Sequence, residues 1–442
     1  MDIMVILELI VLLGAIFVGI RLGGIAIGYA GGLGVVILSL VLGMKPGSIP
    51  WDVILIIAAA IAAISAMQQA GGLDYMVRVV EKLLRANPRF INYLAPACGW
   101  LLTILAGTGN AVFSLMPVVV DVAKSQNIRP SAPLSLMVVS SQIGITASPV
   151  SAAVVYMSGV LEGFGWNYPT LIGIWIVTTF IACMATAFIV SLITPLDLSK
   201  DPVYQERLKA GLVKDAGEIL HGTDKPGAKL SVGIFLFTVL AVVLYATAIS
   251  NNIKWIDPVI MPRDSAIMSF LLTAAALITW LCKVEPGKIL DTSVFKSGMT
   301  ACVCVFGVAW LGNTFVAGHE QAIKDVASEW VKQTPALLAV AFFFASMLLY
   351  SQAATAKAIT PVIISALGLA TVADSGMLVA CFAAVSALFV LPTYPTLLGA
   401  VQMDDTGSTR IGKFIFNHAF FLPGVLAIAI AVALGFLVIS LF

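Results

Sequence analysis

The sequence predicts an all-α membrane protein made of two inverted repeats, each with five transmembrane helices (one of them discontinuous) and a re-entrant hairpin. Three observations predict it. Apolar residues make up 60% of the chain and charged residues 11%, where soluble domains carry near 25% charge. Apolar stretches long enough to cross roughly 30 Å of hydrocarbon recur from end to end. A series of polar interruptions returns at matching positions in the two halves, and lysine and arginine fall mainly on one side.

The first stretch, 3–20, lacks a basic leading region and a small-residue cleavage site, so it reads as a mature span rather than a secretory signal. Spans follow at about 22–43, 52–70, 131–160 and 168–194, then at 230–250, 264–282, 291–313, 374–401 and 415–441. A polar amphipathic stretch follows the third span of each half, Asp74–Asn87 and then Glu320–Lys332. The helical spacing of Met76, Val79, Val80, Leu83 and Leu84 suggests a helix lying in the membrane interface. Glu8, Glu162 and Asp374 sit near span ends and read as solvated.

Next in each half come two short apolar arms. Phe90–Ala106 and Ala111–Ala123 flank Gly107, Thr108, Gly109 and Asn110; Ala336–Tyr350 and Ala358–Leu369 flank Ser351, Gln352, Ala353, Ala354 and Thr355. Arms this short, joined by a polar centre, predict hairpins over about 90–124 and 335–369 that enter and leave by one face. Irregular backbone at that depth must be buried in protein or face a water-filled cavity.

The halves agree in detail. Ten positions separate Gly107 from Pro117 and ten separate Ser351 from Pro361; Pro117 to Pro149 is 32, and Pro361 to Pro392 is 31. An internal duplication follows, with repeats over 1–194 and 230–442 joined by a linker at 195–229. Five crossings per half is an odd number, so the repeats are inverted. With outside termini, 18 Lys and Arg fall on the cytoplasmic side and 5 on the outer side, as the positive-inside rule asks.

Several function classes find no support. The six cysteines lie in apolar stretches with no second pair of ligands beside Cys302 and Cys304, and His221, His319 and His418 are scattered. No nucleophile–base or metal constellation of an enzyme is present in the sequence, and no cofactor or nucleic-acid partner is read from it. The glycines Gly23, Gly24, Gly31, Gly32 and Gly34 read as close helix packing.

Two inverted repeats with hairpins and interrupted spans follow the plan of a secondary carrier with a midplane site. The interruptions fall in the broken helices, about 131–160 and 374–401. They comprise Thr146, Ala147, Ser148, Pro149, Val150 and Ser151, then Leu391, Pro392, Thr393, Tyr394, Pro395 and Thr396. Proline removes a backbone donor and clashes with the preceding turn. The half-helix that restarts after each break aims free N–H groups at the midplane, and such an end attracts anions. Two opposed ends suit a molecule with a carboxylate at each end. Ser148, Ser151, Thr393 and Thr396 add hydroxyls, and Asn110 and Gln352 add amides. Lys357, just past the second tip, is costly at that depth and is read as balancing a substrate carboxylate, with an acidic neighbour or a water-filled vestibule as the other reading.

These same residues resemble a known family. Gly71–Asp74, the Gly107–Asn110 tip, Thr146–Val155, Ser351–Lys357 and the run from Leu391 through Gln402, Asp404, Gly407, Gly412, Lys413 and Phe414 to Asn417 and His418 resemble the anaerobic C4-dicarboxylate uptake (Dcu) family, above all its DcuA-type branch. The resemblance covers essentially the full chain. It implies a multi-pass protein of the bacterial inner membrane with periplasmic termini, exchanging aspartate, fumarate or malate for succinate, with Na⁺ or H⁺ coupling of uptake. It also implies the ion-transporter superfamily, a homodimer and an elevator-type movement, with the hairpin tips and unwound segments holding substrate. A carrier for another anion (citrate, gluconate or an inorganic oxyanion), a symporter, and an added sensor-kinase partner on the linker stay open.

Overall fold

Long apolar runs free of interior breakers fold as helices, because only a helix satisfies every backbone polar group within one segment of hydrocarbon. The computed structural model describes residues 3–22, 24–213, 225–250, 253–322, 331, 334–414 and 416–441. The first half comprises α1 (Ile3–Leu22), α2 (Ala26–Val36), α3 (Trp51–Gln69), α4 (Gly72–Ala86), α5 (Ile91–Ala106), α6 (Met116–Ser125), α7 (Ser131–Gly144), α8 (Ala152–Glu162) and α9 (Tyr168–Ile193). After α10 (Pro202–Lys209) come α11 (Ala228–Ala248), α12 (Arg263–Leu281), α13 (Pro286–Ile289), α14 (Ser293–Cys304) and α15 (Trp310–Gly318). The chain then runs through α16 (Leu337–Leu349), α17 (Gln352–Leu367), α18 (Val372–Cys381), α19 (Pro395–Met403) and α20 (Phe421–Ile439).

Among the described residues, nine helices are long and apolar enough to cross a membrane, and no strand is formed beyond two isolated bridges. The nine include Pro88–Ala106, expected as a short hairpin arm but long enough to cross; residues 3–19 and 26–41, expected as full spans, form shorter apolar helices. The chain is a multi-pass membrane protein. Of the two amphipathic stretches, the first folds as α4, with Arg85 bonded to Glu81 at 2.7 Å and to Asp121 of α6 at 2.6 Å. Most of the second, Glu320–Lys332, lies outside the described residues.

Burial sorts the helices into layers. The interrupted helix Ser131–Glu162 is 83% buried and Val372–Phe389 78% buried, against 28% for α12 and 39% for α9, α11 and α20. The first polar break therefore sits in the interior among apolar helices, while the second, beyond Phe389, is only partly buried. Glycines let α2 approach α14 and α15 closely: a Cβ on Gly28 or Gly31 would strike the backbone of Val303 or Gly307, and one on Gly34 would lie 2.8 Å from Leu311. Gly24 and Gly32 have no atom within 4 Å of that position, so the expected packing role holds for only part of the set.

Two acids differ from expectation. Glu8 and Glu162 are buried rather than solvated, and for Glu162 an arginine offsets the desolvation. His319 Nε2 lies 2.8 Å from Glu8. Arg263 reaches Glu162 at 2.6 Å, and Ser250 donates to the same carboxylate. The linker is docked, not a free tether: Leu198 N donates to Asn127 O at 2.9 Å, Arg207 Nε to Asp405 O at 2.8 Å, and buried Asp201 lies 3.4 Å from Arg410 and 3.5 Å from Arg129. Residues 214–224 of the linker lie outside the described residues.

Candidate functional site

The first break is built from side chains that take over the work of missing helical bonds. After Gly144 the helix tightens into one 3₁₀ turn, Ile145–Ala147, then extends through Ser148. Thr146 Oγ1 donates to Ile143 O at 2.7 Å, Ser148 Oγ to Ile104 O at 2.6 Å, and Ser151 Oγ to Ile145 O at 2.7 Å. Pro149 O accepts from the Tyr168 hydroxyl at 3.4 Å. Ser148 thus clips the break to the first hairpin. Ser151 caps α8 by accepting from Val154 N at 3.2 Å, and the next two residues open a first helical turn whose N–H groups have no partner within the helix.

The second break differs. Its backbone unwinds from Val390 to Tyr394, and α19 restarts with Pro395, which has no N–H, at its first position. Leu397 and Leu398 both donate to Tyr394 O, leaving Thr396 with the one free N–H among these first-turn residues. Thr396 Oγ1 accepts from Gln142 Nε2 at 3.3 Å, while Thr393 Oγ1 is buried without a partner. This restart presents fewer free N–H groups than the start of α8.

A different helix end takes its place. The polar stretch at the second tip, expected as a loop over Ser351–Thr355, is instead the cap and first turn of α17. Ser351 is extended (φ −153°) and its Oγ accepts from Ala354 N at 3.2 Å; Thr355 Oγ1 donates to Ser351 O at 2.7 Å. Gln352 Nε2 crosses to Gln142 O at 3.2 Å. At the first tip Gly107 is left-handed (φ 69°), Thr108 is extended and bonds Asn110 N, and Gly109–Ser114 forms a 3₁₀ turn.

These parts converge. One cavity of about 50 Å³ is lined by Gly107, Thr108 and Asn110 of the first tip, Ser151, Ala152 and Ala153 of the α8 restart, Tyr350 to Ala353 of the second tip, and Tyr394 of the second break. Ile57, Ile145, Ala301 and Val305 complete its wall. Its volume is well below the roughly 300 Å³ at which drug-sized pockets begin; it suits a ligand of a few heavy atoms. Among the described residues no Lys or Arg lines it; the polar groups it offers are neutral donors and the N-termini of α8 and α17.

Other predicted residues lie elsewhere. Gly109, Thr146, Ser148, Pro149, Thr355, Pro392, Thr393, Pro395 and Thr396 are not on the cavity wall; Thr146, Ser148 and Thr355 bond backbone carbonyls beside it. Lys357 faces away from it. Its ammonium pairs with Asp52 at the start of α3, lies 5.4 Å from the centre of the Tyr156 ring, and borders a separate space of about 310 Å³ with Ser48, Asn313 and Pro361. Two participants were missed in the sequence, Tyr350 and Gln142. An amide inside an otherwise apolar span was the available signal for Gln142, since such a group is costly without partners. Among the described residues no cluster of His, Cys, Asp or Glu could hold a metal.

Comparison with known proteins bears on the whole chain. Residues 4–442 match the family model of the anaerobic C4-dicarboxylate membrane transporters. The chain is 62% identical to the C4-dicarboxylate transporter DcuA of Wolinella succinogenes, over 98% of this chain and 99% of that one. It is 54% identical to the DcuA protein of Escherichia coli K12, over 98% of each, and 37% identical to a DcuB protein of the same species, over 99% and 98%. Among solved structures it resembles the YdaH transporter of Alcanivorax borkumensis (TM-score 0.53, 13% identity, 87% and 84% covered). It also resembles MtrF of Neisseria gonorrhoeae (TM-score 0.55, 12% identity, 98% and 94% covered). At such identity these two show a common fold alone.

Proposed function

The chain belongs to the anaerobic C4-dicarboxylate membrane transporter family, on its DcuA-type branch, and on that premise we propose that it is a secondary carrier exchanging aspartate, fumarate, malate and succinate across the bacterial inner membrane. The observation that carries the reading is the meeting of both hairpin tips and both broken helices in one small cavity, where hydroxyl and amide groups stand among apolar walls. A helix end from each half reaches that cavity, which matches a ligand with a carboxylate at each end. The order of elements, with a hairpin and then a broken helix in each half, supports inverted repeats, and the charge bias supports periplasmic termini. The lack of a basic side chain on the cavity wall favours a cation, Na⁺ or H⁺, entering with the dianion. In this reading the hairpins and broken helices move as one body of a homodimeric, elevator-type carrier.

The test is exchange in proteoliposomes loaded with succinate and offered labelled aspartate under defined Na⁺ and pH gradients. Uptake should depend on internal succinate and be displaced by fumarate, while citrate, whose third carboxylate has no opposed helix end to meet, should not compete. Uptake independent of internal dicarboxylate would replace exchange with symport. Equal displacement by citrate would remove the C4 preference.

A further inference from the structure

We propose that the Tyr350 hydroxyl is a substrate-binding donor that holds one carboxylate of the ligand at the second hairpin tip. The inference rests on the reading of the cavity as the dicarboxylate site and deepens it. Tyr350 is 3% exposed, lines the cavity, and its hydroxyl is buried without a hydrogen-bond partner. Buried polar groups nearly always have partners, and one without is costly. A residue needed only for its ring could be phenylalanine.

The backbone argues the same way. Tyr350 closes α16 in the left-handed region (φ 56°) and is followed by an extended capping residue, Ser351. The first tip repeats this conformation with Gly107 (φ 69°) followed by Thr108. Backbone conformation therefore aligns Tyr350 with Gly107, one position off the register that the proline spacing gives. Where the first half uses glycine, for which this conformation is free, the second uses a bulky aromatic, for which it is strained. Both features tie the side chain to the cavity. A neutral phenol there gives a charge-assisted O–H···O⁻ bond to a carboxylate without placing a lysine or arginine in the membrane centre. The Tyr394 ring, its centroid 6.0 Å away, packs beside it.

The test compares wild type with Tyr350→Phe and Tyr350→Gly, full-length and reconstituted, by initial rates of labelled succinate uptake and by thermal unfolding of the purified proteins. Tyr350→Phe keeps the ring and removes a hydroxyl that bonds nothing in the protein, so it should unfold at the wild-type temperature or above. Its KM should rise about tenfold, as expected for loss of one hydrogen bond to a charged group. Tyr350→Gly relieves the backbone and should transport no better than Tyr350→Phe. A wild-type KM in folded Tyr350→Phe, or wild-type transport by Tyr350→Gly, overturns the inference and leaves the dicarboxylate reading standing. Absence of dicarboxylate transport in wild type itself would remove both.

Discussion

Asn110 shows what a single residue contributes at the tips. Its amide is buried on the cavity wall, and its own backbone N–H is held by Thr108. Asn110→Ala should cut succinate uptake at least about tenfold, with membrane insertion and unfolding temperature near wild type; wild-type uptake by the inserted variant would count against a ligand role. Lys357 carries the opposite expectation. The sequence left substrate and an acidic neighbour both open, and a one-dimensional reading could not show that α3 begins with Asp52 beside it. Because Asp52 is 42% exposed, the pair is screened and worth little. Lys357→Ala should therefore change the KM for succinate by less than about twofold. A tenfold rise would return Lys357 to the substrate.

At the scale of elements, proline and glycine do most of the specifying. Pro149, Pro392 and Pro395 made both breaks legible in the sequence because each stands among hydroxyl residues inside an otherwise apolar span, whereas Pro96 and Pro361 lie within continuous helices. The start of α17 was not legible. Ser351, Gln352 and Thr355 have the composition of a loop, and their capping role depends on Tyr350 reversing the chain just before them. The glycines of α2 were half legible, because sequence gives their presence but not the direction each one faces. That direction is testable with one pair of variants. Gly31→Leu places a side chain against the Gly307 backbone and should destabilise the protein by about 3 kcal/mol. Gly32→Leu points where nothing lies within 4 Å and should cost less than about 0.5 kcal/mol. Unfolding curves of the detergent-purified proteins separate them, and equal losses would mean that α2 is turned differently about its axis.

Across the whole molecule, the duplicated pattern of arms and prolines was readable because it is a matter of spacing, whereas the inequality of the two halves was not. The first half sends a clean helix end, α8, into the centre. The second blunts its own restart with Pro395 and supplies α17 from the hairpin instead. Local bonding decides this, and spacing cannot report it. The architecture nonetheless makes one demand that local detail does not alter: Thr108 and Ser351, 243 positions apart, must share one ligand. In a variant lacking the six native cysteines, Thr108→Cys and Ser351→Cys, made singly, should each react with a small membrane-impermeant thiol reagent. Succinate should slow both reactions with the same half-maximal concentration, because both positions border the same cavity. Binding of one ligand at one place leaves no room for two protection constants. If succinate shields one cysteine and not the other, or shields them at concentrations tenfold apart, the tips serve separate sites and a central cavity common to both halves is wrong.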